Sequence, residues 1–396
     1  KQPEGRRLEF KESLPTGSHL ERTLIAFSND AGGEFYLGIQ DKPRKVVGLH
    51  EDDLLKIEEQ IRNIVHDNCK PIILPEISFI SVENKHLIKI KVNSGSNLPY
   101  YLKSKGKAKG TYIRVGSTNR LADKEIIDQL ERQKQNISFD SEIVYGIDPQ
   151  DLILDSFKKQ YYETTGEELT QRALIKLDLI RSENGKQYPT NALVLLSDFS
   201  SRKILFPMAQ IECARFKGTN PGNFIDQKTI DPGLALQADL AYQFVLRNIS
   251  EGSVEYSGVY RKDRWEYPIV AIREAIRNAV THRDYSLKGQ DIKIAIFDDK
   301  IEITNPGKLL PSINFFDMES GQSDIRNKIL APVFKKLGMI EKWGNGLKLI
   351  AEELKNYPEI GFEWKELGIS FRIIFFKKPT TSKTTSKTTS KTTSKI

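Results

Sequence analysis

Apolar residues recur along this chain in two registers, every third or fourth position and every second position, and the alternation between them outlines its elements. His19 to Asn29 predicts a helix with Leu20, Leu24, Ile25 and Phe27 inward, ended by Gly32-Gly33 and followed by a strand in EFYLGIQD. Asp52 to Asn68 predicts a second amphipathic helix. Glu76 to Val82 and His86 to Val92 alternate like a hairpin around Glu83-Asn84-Lys85. Lys103 to Gly110 reads as a basic, Gly-containing loop into the strand TYIRV, and Asp123 to Gln135 as a charged closing helix.

Beyond residue 140 the pattern predicts helices at about 150–161 and 167–183, then two strands, ALVLLSD and AQIECARF. A turn cluster at 218–222 precedes a long helix at about 233–250. From about 256 come the helix around Glu274, the strands KIAIFDD and KIEITNPG, a Gly-bearing loop and a closing strand FRIIFFKK. The fold class expected is α+β and multidomain. Its units are 1–135, a mixed α/β middle section at 136–255, a third unit at 256–378 and a tail at 379–396. The tail is TTSK four times and then Ile396; it cannot bury apolar surface and reads as a disordered linker, with a further domain expected past it.

Composition narrows the class. No apolar run approaches the roughly 18 residues of a membrane span. Two cysteines, Cys69 and Cys213, exclude a disulfide framework and a cysteine zinc site, which points to a reducing cytoplasm. A net charge of +7 suits nucleic acid, although part of the excess sits in the tail.

Candidate chemistry starts on the Glu274 helix. Ile272, Ala275, Ile276, Ala279 and Val280 define its core face, while Glu274, Asn278 and His282 stand four apart on another. A carboxylate one turn from a carboxamide can hold a divalent cation and a water; the same residues can also simply cap and brace a helix. His282 reads as a structural histidine, and Arg283-Asp284 as a local ion pair. Downstream, Asn305-Pro306-Gly307 ends a strand, and Gly344 and Gly346 precede an apolar helix.

These three segments, in this order, resemble the GHKL ATPase superfamily (gyrase, the ATP-dependent heat-shock chaperone, histidine kinases, MutL). More closely, they resemble divergent "RecG-like" bacterial proteins labelled as transcriptional regulators. The resemblance covers about 256–378 and implies an α/β sandwich that binds ATP with Mg²⁺. It places Asn278 on the Mg²⁺, Glu274 as the carboxylate that activates water, and Asn305 where relatives have an Asp on the adenine amino group. Gly307 would let the backbone approach the base, and Gly344 and Gly346 would offer backbone N–H groups to phosphate. An amide at 305 still accepts a hydrogen bond, but the charge assistance is lost. Such relatives often dimerise, so a homodimer is the expectation. The chain has no G-x-x-x-x-G-K-[ST] loop, which argues against a helicase motor.

At the other end, Glu4-Gly-Arg-Arg-Leu-Glu9-Phe-Lys11-Glu12 and Gly32-Gly33 through Gly38-Ile-Gln-Asp41 resemble the Schlafen-type AlbA domain over roughly 1–133. That resemblance implies DNA or RNA binding. It also places Glu4, Glu9 and Asp41 where nuclease members hold Mg²⁺ or Mn²⁺ on three carboxylates, the hard oxygen donors such ions take. The alternative is that Glu9 pairs with Lys11 or Arg7 and Asp41 caps a turn. Lys103, Lys105, Lys107, Lys109 and Arg114 form the expected phosphate-contact patch, with Tyr100, Tyr101 and Tyr112 flanking it for base stacking. Phe216, Gly218 and Asp226 are expected to touch the third unit. The leading expectation is a cytoplasmic nucleic-acid-binding regulator controlled by ATP and Mg²⁺; the rival is a metal-dependent nuclease gated by the ATPase-like unit.

Overall fold

A computed structural model describes residues 4–257, 260–310, 313, 324–340 and 346–379, and for 251–263 the backbone alone. The TTSK tail, residues 311–312 and 314–323 of the stretch between the two glycine segments, and 341–345 with Gly344 lie outside the described residues.

The N-terminal unit is a four-stranded sheet packed against two helices. Strand β1 (Leu8–Lys11) leads to helix α1 (His19–Ser28), strand β2 (Gly33–Leu37) and helix α2 (Leu54–Asn68). Strands β3 (Glu76–Val82) and β4 (Lys85–Val92) form the expected hairpin, its turn made by Glu83 and Asn84 at positive φ. The order is β1-β2-β4-β3, with β1 parallel to β2. Leu20, Leu24, Ile25 and Phe27 are buried, as their spacing predicts. A small hairpin of β5 (Tyr112–Val115) and β6 (Thr118–Leu121) and helix α3 (Lys124–Lys134) complete the unit. Lys103 to Gly110 is not a loop but two short helical turns, Lys103–Lys105 and Gly106–Gly110.

The middle section departs most from its pattern. Helix α4 spans Asp155–Thr165. The helix expected over 167–183 is only α5 (Gln171–Lys176); the chain then turns through Asp178 at positive φ into a hairpin of β7 (Ile180–Glu183) and β8 (Lys186–Pro189). ALVLLSD is not a strand. Asn191–Leu196 is helix α6, buried at every residue, and an apolar run that short carries no period to tell helix from strand.

Strands β9 (Ile211–Phe216) and β10 (Phe224–Ile230) follow, then helix α7 (Leu234–Asn248) and a hairpin of β11 (Glu251–Ser257) and β12 (Tyr260–Trp265). Helix α8 (Ile269–His282), strands β13 (Ile292–Ile296) and β14 (Lys300–Pro306), helices α9 (Leu330–Lys336) and α10 (Gly346–Lys355), and strands β15 (Ile360–Leu367) and β16 (Ser370–Lys377) close the fold. One six-stranded sheet runs β10-β9-β13-β14-β16-β15, with β9 parallel to β13 and the other pairs antiparallel. The sheet and its core, from Val144 to Phe375, cross the division drawn at 255. Alternation explains the layering: Ile292, Ile294 and Ile296 face the core while Lys293 is exposed. Asp140, fully buried, accepts from the backbone N–H of Ile329 and Leu330 at 2.7 and 2.8 Å and so caps α9 from the interdomain segment. No described helix is long and apolar enough to cross a membrane.

Candidate functional site

Helix α8 packs Ile272, Ala275, Ile276 and Val280 into the core. Its polar residues Glu274, Asn278 and His282 line a cavity of about 640 Å³, together with Asn305, Gly307 and Gly346. The three sequence segments therefore meet in space, and the volume lies in the range of small-molecule sites. Ile303, Ile350, Phe371 and Ile373 supply an apolar wall.

Gly346 opens α10 directly against α8. A Cβ there would lie 2.1 Å from Glu274 Oε1 and 2.9 Å from Asn278 Nδ2, so no side chain fits without displacing both. This brings the unbonded N–H groups and positive end of α10 to the carboxylate and carboxamide. Across the cavity, β14 ends at Asn305-Pro306, and Gly307 turns at φ +116°, a conformation that suits glycine. Its N–H donates to Ile369 O at 2.9 Å, and an added Cβ would meet Asp284 Cβ at 3.0 Å. Asn305 Oδ1 and Thr281 Oγ1 are buried with no hydrogen-bond partner among the described residues. A buried acceptor left so is costly unless a ligand donor meets it.

His282 is held neutral: burial, then the nearby Arg326 cation, lower its imidazole to about 4. Arg283 and Asp284 do not pair with each other. Arg283 is buried and donates to Met208 O and Gln290 O, both at 2.5 Å. Asp284 instead pairs with Arg326 at 2.9 Å and accepts from Ser286. Phe216 stacks on Phe297 at 5.1 Å, and Gly218 N–H donates to Asp298 at 2.8 Å, so both touch the strand β13 end; Asp226 accepts from Asn248 instead.

In the N-terminal unit, Arg114 is not a surface phosphate contact. It is 1% exposed and bound to the Glu9 carboxylate, to Asn119 Oδ1 at 2.9 Å and to Gly5 O at 3.2 Å. Burial alone would raise the Glu9 carboxyl; hydrogen bonds from His19, Lys11 and Arg114 outweigh it and hold the group at about 2. Lys11 sits 2.5 Å from Glu9 and 3.7 Å from Glu4, and Glu4 accepts from Phe10 N–H at 2.8 Å. Asp41 pairs with Arg44 at 3.3 Å. Among the described residues, no group of three or more His, Cys, Asp or Glu is arranged to hold a metal ion. At the positions of the Mg²⁺ or Mn²⁺ expectation, Glu4 and Glu9 share Lys11, and Asp41 pairs separately with Arg44. Lys103, Lys105, Lys107 and Lys109 are exposed, Lys107 in a 2.6 Å pair with Glu131. Tyr100 and Tyr112 are buried and offer no face for stacking.

The sequence did not signal an ionic cluster that joins the two units. Arg6 binds Asp30 through two nitrogens at 2.5 and 2.6 Å, Glu366 at 2.6 Å and Leu309 O at 2.9 Å. Lys308, the residue after Gly307, donates to Arg114 O, and its own carbonyl accepts from Arg326. Residues 307–310 therefore line the cavity on one side and are gripped by the N-terminal unit on the other.

Comparison with known proteins finds two separate family matches along the chain. Residues 4–123 match the family described as "Schlafen, AlbA_2", and residues 289–375 match "Putative ATP-dependent DNA helicase recG C-terminal". The chain thus carries a Schlafen AlbA_2 domain at its N-terminal end and a RecG C-terminal-like domain after it. The second match begins past α8, so Glu274 and Asn278 lie outside it. An uncharacterized ATP-binding protein of Ureaplasma parvum serovar 3 is 30% identical over 87 residues, 21% of this chain and 24% of that protein. The chain thus spans about a quarter of the length of the curated relative it matches. Among solved structures, the DIP2311 protein from Corynebacterium diphtheriae aligns over 94% of this chain and 76% of its own, at 18% identity and a TM-score of 0.49. The N-terminal domain of "Putative ATP-dependent DNA Helicase RecG-related Protein" from Nitrosomonas europaea aligns over 30% of this chain and 84% of its own, at 28% identity and a TM-score of 0.24.

Proposed function

We propose that this chain is a cytoplasmic ATP-binding, nucleic-acid-binding regulator in which nucleotide in the α8–β14–α10 cavity sets the stance of the N-terminal domain. The observation that carries the reading is the meeting of Glu274, Asn278, Asn305, Gly307 and Gly346 around one cavity of about 640 Å³. The residues fit an adenine nucleotide. The buried Asn305 oxygen has no donor among the described residues, and an exocyclic amino group would supply one. The glycine at 346 keeps the N-terminal amides of α10 beside Asn278, where phosphate belongs.

Asn278 would hold the Mg²⁺ that accompanies ATP, and that ion would neutralise phosphate charge when bound. Glu274, buried beside Asn278, is the carboxylate placed to orient a water. Lys103, Lys105 and Lys109, exposed on the N-terminal domain, are the cations left for nucleic-acid phosphate. Residues 307–310 carry the message: a ligand that presses on Gly307 also moves Lys308 and Leu309, which Arg114 and Arg6 hold. Helicase motor activity is no part of this reading, because the chain has no Walker loop. Nor is cleavage assigned to Glu9, whose carboxylate is engaged by Arg114, Lys11 and His19.

Calorimetric titration of ATP with Mg²⁺ tests the reading. Wild type should bind, and Asn278→Ala should weaken binding at least about tenfold, the loss of one charge-assisted contact. Equal affinity in the two proteins, or binding by neither, overturns it.

A further inference from the structure

Strand β10 forms one edge of the six-stranded sheet, paired to β9 on one side. Six of its seven residues, Phe224 to Thr229, are exposed, with Phe224 at 57% and Ile225 at 59%. A long edge with exposed apolar side chains is a ready template for another strand. The sequence of this edge, F-I-D-Q-K-T-I, also has a particular symmetry.

In an antiparallel pair of identical strands, residues equidistant from the centre stand opposite each other. Centred on Gln227, the strand sets Asp226 of one copy against Lys228 of the other, twice over, on the same face. Ile225 then meets Thr229, a β-branched pair, and Phe224 meets Ile230. Opposite charges directly across an antiparallel pair stabilise it, and like charges there oppose it. A shift of register by one residue in either direction breaks the Asp226–Lys228 match. The charge pattern thus selects both the partner and the register.

The opposite edge is less suited. Strand β15 also has a carboxylate and a lysine about one central residue, Glu363 and Lys365, but these two already form an ion pair within the strand at 3.3 Å, whereas Asp226, although it accepts from Asn248 at 3.0 Å, and Lys228 form no ion pair among the described residues. Its neighbour Glu366 is tied to Arg6 of the N-terminal domain.

We propose that two copies of this chain associate edge to edge through β10, antiparallel about Gln227, into one twelve-stranded sheet. The proposal is independent of what the cavity binds. Sedimentation of the full chain across the micromolar range should give a dimer. Asp226→Lys and Lys228→Asp should each raise the dissociation constant about tenfold or more, since each sets like charges opposite each other twice. The double variant, Asp226→Lys with Lys228→Asp, should restore the dimer; this also separates loss of pairing from loss of folding. Reversing Glu363 and Lys365 singly should change nothing. A Gln227→Cys variant should form an intermolecular disulfide on mild oxidation, because facing residues stand about 4.5–5.5 Å apart between Cα atoms. The native thiols, Cys69 and Cys213, are buried and do not compete. A monomer at high micromolar concentration, a dimer indifferent to charge reversal at 226 and 228, or a Gln227→Cys variant that fails to cross-link each overturns the proposal.

Discussion

His282 shows what one side chain reveals once its surroundings are known. Its spacing put it in line with Glu274 and Asn278, but only the cavity explains its charge state. The unfolded imidazole titrates near 6.5, and the folded one, desolvated and facing Arg326, at about 4. Between those values the unfolded chain binds more protons. The contribution of His282 to stability is therefore complete above about pH 6.5 and declines as pH falls toward 4. His282→Gln should remove about 1 to 2 kcal/mol of the stability lost between pH 7 and pH 5, read by urea unfolding at both pH values. An unchanged difference would mean that the folded imidazole titrates no lower than the unfolded one. Arg114 shows the opposite limit. A lone arginine in TYIRV reads from sequence as a surface cation, and nothing near it names a carboxylate 105 residues away. Its burial is a property of the pair, since neither charge is tolerated inside without the other.

Helices and strands were legible where their period was unbroken. The amphipathic stretches behind α1, α2, α7 and α8 and the alternating hairpin β3–β4 gave their elements within a few residues of the observed ends. The β7–β8 hairpin carried a usable signal, Asn184-Gly185, both at positive φ, directly after the stretch 167–183 that reads as a helix. Helix α6 carried none, because burial on every side erases the period that identifies a helix. The approach of α10 to α8 was half legible: a glycine box was visible, but not the surface it abuts. Gly346→Ala should replace the least helix-prone ordinary residue with the most helix-prone, a gain of up to about 1 kcal/mol. The close approach to Glu274 Oε1 and Asn278 Nδ2 offsets that gain. Those contacts are with side-chain tips that can turn aside, so we expect stability within about 1 kcal/mol of wild type in chemical denaturation and the loss to fall on ATP affinity, because Glu274 and Asn278 are displaced. Gly289→Ala, where an added Cβ meets nothing within 4 Å, is the neutral control.

The whole molecule is held together by contacts of very long sequence separation, and these were the least legible. Arg6 reaches Asp30, Glu366 and Leu309 O, a set that no spacing rule connects. If residues 307–310 carry nucleotide occupancy to the N-terminal domain, Arg6→Ala should uncouple the two ends. ATP affinity should stay within about threefold of wild type, while the change that ATP makes in nucleic-acid affinity should shrink to nothing. Fluorescence anisotropy of a labelled oligonucleotide, with and without ATP, reads both. A nucleotide effect that survives Arg6→Ala would place the coupling elsewhere.

The parallel seam between β9 and β13 has a consequence for how this chain can be inherited or cut. A block beginning at residue 256 or 289 would travel with β13 to β16 and leave behind β9, the strand hydrogen-bonded along β13 from Ile211–Ile292 to Arg215–Ile296. Either block would expose a new unpaired edge along β13; the first would also strip α7 from α8, and the second would lose α8 and its cavity wall altogether. The smallest portable piece that keeps the cavity whole therefore starts near Ser138, where Asp140 already caps α9. Among the described residues, recombination that respects this sheet has a seam to use at the end of α3 rather than at 255.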